Sequence, residues 1–139
     1  MTAMETRQIR NEESYVEVRG RLAGAVMAAL GDETSRKIIR CATDGSKTVA
    51  EISFEEGISL STCYRRVNEL ESHGILVIER ITVADDRRYA NYRSCFSSFR
   101  ILSNGADASV EVVLNPDVAD KVHNRWMSMT YNQAGIIAP

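Results

Sequence analysis

Residues 48–74 read TVAEISFEEGISLSTCYRRVNELESHG, and the caps, apolar spacing and glycines in this run decide the fold. Thr48 and Glu51 stand at the spacing of a capping box, in which a hydroxyl and a carboxylate satisfy backbone N–H groups at a helix start. Gly57 ends that helix within three turns, and Ser59 is placed to cap a second one. Cys63, Val67 and Leu70 repeat at i, i+4 and i+7, which gives one apolar face and leaves Tyr64, Arg65 and Asn68 on the other. His73-Gly74 stops it. Two short helices around a glycine turn make a helix-turn-helix by spacing alone.

Upstream, Arg21 to Leu30 reads as a helix with Leu22, Val26, Met27 and Leu30 on one stripe and Gly31 as its closing residue. Asp32 can cap the next helix, with Glu33 in its first turn and Ile38, Ile39 and Ala42 as its core face. Asp44-Gly45-Ser46 ends it. Downstream of Gly74 the period changes. Ile75 to Val83 is dense in β-branched residues, Tyr89 to Arg93 is its return strand, and residues 84–88 form a polar tip. A second hairpin runs from Phe96 to Leu102 and from Ser109 to Leu114 around Asn104-Gly105. Pro116-Asp117 opens a last helix with Val118, Val122, Trp126 and Met129 as its stripe. The expected class is therefore α+β: an arm over residues 1–18, a winged helix-turn-helix domain over 19–95, an added hairpin and helix over 96–130, and a loose tail over 131–139.

Composition sets the outer limits. A chain of 139 residues with 44% hydrophobic and 26% charged residues suits one folded domain with a few extra elements. No apolar stretch reaches the length that crosses a bilayer, and no secretory leader opens the sequence, so a cytoplasmic protein without a membrane role is expected. Cys41, Cys63 and Cys95 are scattered and contain no C-x-x-C pair, which disfavours a disulfide framework or a zinc ribbon. His73 and His123 have no partner ligand at a useful helical spacing, so neither a metal nor another cofactor is expected. No phosphate loop, nucleophile turn or acid pair supports an enzyme.

Net charge is −2, yet residues 60–100 hold seven Arg against five acidic residues. Contact with phosphate depends on the local field of one face, so the acidic total does not exclude a nucleic-acid partner. The second helix of the motif offers the right chemistry. Ser59, Leu60, Ser61 and Thr62 lie at its leading end, where hydroxyls and free N–H groups meet phosphate. Arg65 suits guanine through a bidentate fork and Asn68 suits adenine. On any one of these residues alone, an ordinary solvated helix face explains as much; together with the cap, the turn and the hairpin they point to reading of double-stranded DNA.

The run from Thr48 to Leu76, with Ala29-Leu30-Gly31-Asp32-Glu33-Thr34-Ser35-Arg36 upstream, resembles ArsR-like winged helix regulators, archaeal ones in particular. The likeness covers about residues 22–95, and S-T-x-Y-R-R-x-x-x-L-E-x-x-G-I-L is its most specific part. It implies a transcription regulator in which Leu60, Ser61, Thr62, Tyr64, Arg65 and Asn68 face DNA and wing residues Arg87 and Arg88 reach the backbone or minor groove. Ser53 departs from the usual alanine, and Glu56 from an apolar residue for which Phe54 is placed to compensate. Asp85 and Asp86 put acid at the wing tip. The paired cysteines of the metal-sensing branch are absent from residues 49–56, so metal sensing is not implied.

The expected working form is a homodimer through the first and C-terminal helices, since one copy makes few phosphate contacts. Two other readings share the fold: a protein-interaction module of the transcription machinery, and a regulator gated by oxidation or ligand at Cys63 or Cys95.

Overall fold

The structure, a computed structural model, describes residues 15–132. The polar start expected over residues 1–14 lies outside them, as does the tail from residue 133. The elements in order are β1 (Val16–Val18), α1 (Gly20–Leu30), α2 (Glu33–Cys41), α3 (Val49–Glu56), α4 (Leu60–Ser72), β2 (Leu76–Ala84), β3 (Arg87–Ser94), β4 (Phe96–Asn104), β5 (Asp107–Leu114), a 3₁₀ turn (Pro116–Val118) and α5 (Ala119–Asn132). This is an α+β winged helix architecture, with helices and a hairpin followed by a second hairpin and a terminal helix.

Local signals set the helix starts. The Asp32 carboxylate accepts from the Ser35 N–H at 2.9 Å and from its hydroxyl at 2.7 Å. Thr48 and Glu51 form the full capping box, with both reciprocal bonds present. Each such cap is worth about 1 kcal/mol. Gly31, however, closes α1 at φ −81, in the right-handed region, so no left-handed turn requires glycine there. The α1 core stripe is Leu22, Val26 and Ala29, whereas Met27 is exposed.

Two sheets form. β2 and β3 pair as the wing, with Lys47 bridged to Tyr92 on the other edge of β3, while β1, β5 and β4 make a three-stranded antiparallel sheet. Val16–Val18 was expected to be part of an arm. It pairs instead with Val110–Val112, and Val18 is buried, because a strand this short gains its stability from its neighbour rather than from its own pattern. α5 runs to Asn132, two residues into the tail expected over 131–139, the rest of which lies outside the described residues.

One core joins both sheets and the helices. Val26, Ile38, Ile52, Val67, Ile75, Leu76, Val112 and Val122 are all fully buried. Phe96 lies at its centre, with ring centroids 5.5 Å from both Phe99 and Trp126. Val118, Val122 and Trp126 are spent on this core, so the stripe that suggested a dimer surface on the C-terminal helix is used inside the subunit. The Met129 side chain lies outside the described part.

A polar joint fixes the extension to the winged helix. Asn115 donates to the carbonyls of Thr43 (3.1 Å) and Ser94 (3.0 Å). The buried Arg93 guanidinium donates to the Thr43 carbonyl (3.0 Å), to Glu79 (3.2 Å) and to Asp117. A buried charge is tolerated when its donors are met in this way, and removing one partner is costly.

Candidate nucleic-acid interface

The turn between α3 and α4 is closed from both sides by Ser53. Its carbonyl accepts from Ile58 N–H at 3.1 Å, and its hydroxyl donates to the Ile58 carbonyl at 2.5 Å. Gly57 sits between them at φ 67, ψ 35, left-handed backbone that favours glycine. Ser53 thus has a structural task that alanine lacks. Glu56 is likewise explained by its pairing with Arg40 at 2.8 Å. Phe54 does not fill in for it: its ring is 88% exposed.

Helical spacing of about 100° per residue divides the surface of α4 into four strips. Cys63, Val67 and Leu70 are buried. Diametrically opposite lies the line Ser61, Arg65, Asn68 and Ser72, all exposed. One flank carries Leu60, Tyr64 and Glu71, turned towards the wing. Tyr92 of β3 lies beside this flank: burial first, then the nearby Glu71 carboxylate and Tyr64, raise its phenol above the ordinary 10.0. The other flank carries Thr62, Arg66 and Glu69. Arg66 reaches Asp32 at 3.6 Å and Glu69 at 3.5 Å, tying α4 to the start of α2.

The leading end of α4 differs from expectation in one respect. Ser59 occupies the N-cap position, but its side chain makes no capping hydrogen bond. Among the described residues no side chain accepts from the first-turn N–H groups of α4, which a helix start leaves without backbone partners. The trailing end is clamped. Arg125 donates to the Glu71 carbonyl at 3.2 Å and pairs with the Glu71 carboxylate at 3.4 Å.

The wing differs more. Its tip is a two-residue turn, Asp85-Asp86, rather than the polar loop expected over residues 84–88, and the strands pair out to Ala84 and Arg87. Asp85 and Asp86 have φ 53 and φ 61, the mark of a type I′ turn, for which Asp is among the few suitable residues. The acid at the tip therefore serves the backbone. Strand alternation sends Arg87 and Arg88 to opposite faces. Arg88, across from Val83, shares its face with Ala90 and Tyr92, the face turned to α4; Arg87, across from Ala84, shares the other with Tyr89 and Asn91.

Ion pairing sorts the local charge. Arg66, Arg93 and Arg100 are paired, as are Glu69, Glu71 and Glu79. Among the described residues Arg65, Arg80, Arg87 and Arg88 enter no ion pair, and Asp85 and Asp86 are the unpaired acids of the same segment. The four free guanidiniums lie on α4 and the wing. Sequence reasoning missed Arg66, Arg80 and Tyr92. Arg80 has a visible signal, as a cation within a β-branched run, and Arg66 has one in the i, i+3 spacing to Glu69; its tie to Asp32 and the setting of Tyr92 depend on distant segments.

The thiols are quiet. Burial, with Glu55 and Glu56 nearby, pushes Cys41 up to about 12. Burial also raises Cys63, whose S–H faces the Val49 carbonyl at 3.6 Å, and Cys95. Raised thiols supply little thiolate for oxidation or metal binding. Among the described residues no group of three or more His, Cys, Asp or Glu side chains is placed to hold a metal, and no helix is long and apolar enough to cross a membrane.

No curated protein matches the chain significantly. Residues 31–77, from the end of α1 to the start of β2, match a family described as winged helix-turn-helix DNA-binding. The wing tip, second hairpin and α5 lie beyond that match. The chain thus has an α+β winged helix fold, and about a third of it, residues 31–77, is similar to winged helix-turn-helix DNA-binding domains.

Proposed function

We propose that this protein is a sequence-specific regulator of transcription that lays α4 in the major groove of double-stranded DNA and sets its wing on the adjacent backbone. The observation that carries this reading is the exposed line Ser61, Arg65 and Asn68, opposite the buried face of α4, with the unpaired Arg80, Arg87 and Arg88 on the wing. Arg65 and Asn68 supply base-edge contacts; Ser59, Ser61, Thr62 and the open first turn supply phosphate contacts. Leu60 and Tyr64 pack against sugar or a thymine methyl on the wing side. Arg87 and Arg88 hold the flanking strand. No chemical step on a substrate is involved; the protein acts by occupancy.

The resemblance to ArsR-like regulators supports the same assignment and a cytoplasmic site of action. A symmetric dimer gives the contact area a single copy lacks. With the apolar stripe of α5 consumed inside the subunit, the outward face of α1, where Met27 and Gly24 are exposed, is the remaining contact of the two first suggested.

A protein-interaction role is favoured by one observation, the exposed apolar groups Phe54 and Val83. Salt separates the two. Selection from random duplexes, followed by anisotropy titration across salt concentrations, should return one motif whose affinity falls steeply with salt. Absence of binding to any duplex at low salt leaves the interaction module.

A further inference from the structure

A second concave site lies away from the DNA-facing surface. Leu30, Ile39, Phe96 and Phe99 line a cleft of about 460 Å³ where α1 and α2 meet β4, with Arg36 and Arg40 at its edge. That volume suits a small molecule, and a mostly apolar lining with a few polar groups at one end is how such sites are built. None of its lining residues belongs to α4 or the wing.

The charge at the edge selects the ligand. Arg36 donates to the Leu30 carbonyl at 2.6 Å, which leaves most of its donors free. Arg40 is largely exposed and pairs with Glu56. With Asp44 in the lining and Glu56 on Arg40, two guanidiniums face two carboxylates, so an added carboxylate takes the open donors of Arg36 and competes with Glu56 for Arg40. Thr43 is spent on the Ile39 carbonyl at 2.7 Å. A planar carboxylate fits a guanidinium fork, whereas the aromatic and aliphatic floor requires a hydrocarbon body that inorganic anions lack.

We infer that the cleft between α2 and β4, with Phe96 and Phe99 below and Arg36 and Arg40 above, binds a small apolar monocarboxylate. Binding is relayed to the helix-turn-helix through Arg40. Its present partner, Glu56, ends α3 immediately before the Gly57 turn, and a bound carboxylate competes with Glu56 for the same guanidinium. The Arg40 side chain is 72% exposed and free to turn, whereas Glu56 is only 14% exposed, so a carboxylate left by Arg40 must shift to regain solvent, and that shift moves the end of α3.

The test is an NMR titration of the full ¹⁵N-labelled chain with 3-phenylpropionate, octanoate and 3-phenylpropionamide. Saturable amide shifts are expected within residues 30–44 and 96–99 and at Glu56 and Gly57, with either acid. The neutral amide should bind at least about tenfold more weakly. The double variant Arg36→Gln/Arg40→Gln should lose that preference for the acid while its remaining spectrum stays native. No saturation up to about 10 mM, equal affinity for acid and amide, or shifts spread over other arginines overturns the site. Saturation without movement at Glu56 and Gly57 overturns the relay. No DNA is needed, so failure here leaves the recognition-face proposal standing.

Discussion

The Trp126 indole N–H donates to the carbonyl oxygen of Gly74 across 2.9 Å. His73 and Gly74 directly follow α4, so the C-terminal helix holds the end of the proposed recognition helix from behind. Trp126→Phe keeps an aromatic ring beside Phe96 but leaves that buried carbonyl without its donor. We expect a loss of about 1–3 kcal/mol in urea unfolding, with unchanged binding by the folded protein. A variant as stable as the parent would show that the clamp contributes nothing.

Asp32 caps α2 and also faces Arg66 of α4. The Ser35 hydroxyl and N–H, followed by the nearby Arg66 and Arg36 charges, hold its carboxyl below the ordinary 3.8 against the opposing effect of burial. A depressed folded-state value means that the carboxylate stabilises the fold above pH 3.8 and that this contribution fades as pH falls through the folded value. Asp32→Ala should therefore cost about 1 kcal/mol near neutrality. The gap to the parent should narrow below the usual carboxylate range, as followed by urea unfolding across pH. A gap independent of pH would assign the loss to packing alone.

The tip residues Asp85 and Asp86 are held at positive φ, so their charge and their backbone role are separable. Asp85→Asn/Asp86→Gly keeps the turn type while removing two negative charges beside Arg87 and Arg88. DNA affinity should rise several-fold at low salt and converge with the parent as salt screens the difference. Unchanged affinity at low salt would place the tip away from phosphate.

Arg87 and Arg88 are neighbours in sequence but lie on opposite faces of the wing. Arg88→Ala should weaken binding to all duplexes and lower the salt slope by about one contact. Arg87→Ala should have the smaller effect, because it shares its face with Tyr89 and Asn91 rather than with Tyr92 and α4. Equal effects would mean that the wing enters a groove edge-on.

The caps at Asp32 and Thr48, the Gly57 turn and the buried face of α4 were all legible in the sequence, because each depends on residues within one or two turns. The hairpins were legible as elements but not in their turns. The second hairpin turns at Gly105-Ala106, with Gly105 at φ 84, and not at Asn104-Gly105. One residue of register cannot be read when several adjacent residues suit a turn. Arg93 and Trp126 take their partners from distant segments, as Arg66 does in reaching Asp32, and no local pattern encodes those contacts. The exposed line on α4 followed from the apolar spacing opposite it, whereas the splitting of Arg87 from Arg88 required knowing where the wing strands begin.

The central claim is that Arg65 and Asn68 read bases. The direct measurement is affinity for every single-base variant of the selected duplex, for the parent and for Arg65→Ala. Loss of Arg65 should cost about 1–3 kcal/mol on the selected duplex and flatten discrimination at one base pair alone. Stability should change by less than about 0.5 kcal/mol, since Arg65 is exposed and unpaired. A uniform loss over all duplexes, with discrimination intact at every position, would contradict the claim and leave α4 as a charged support.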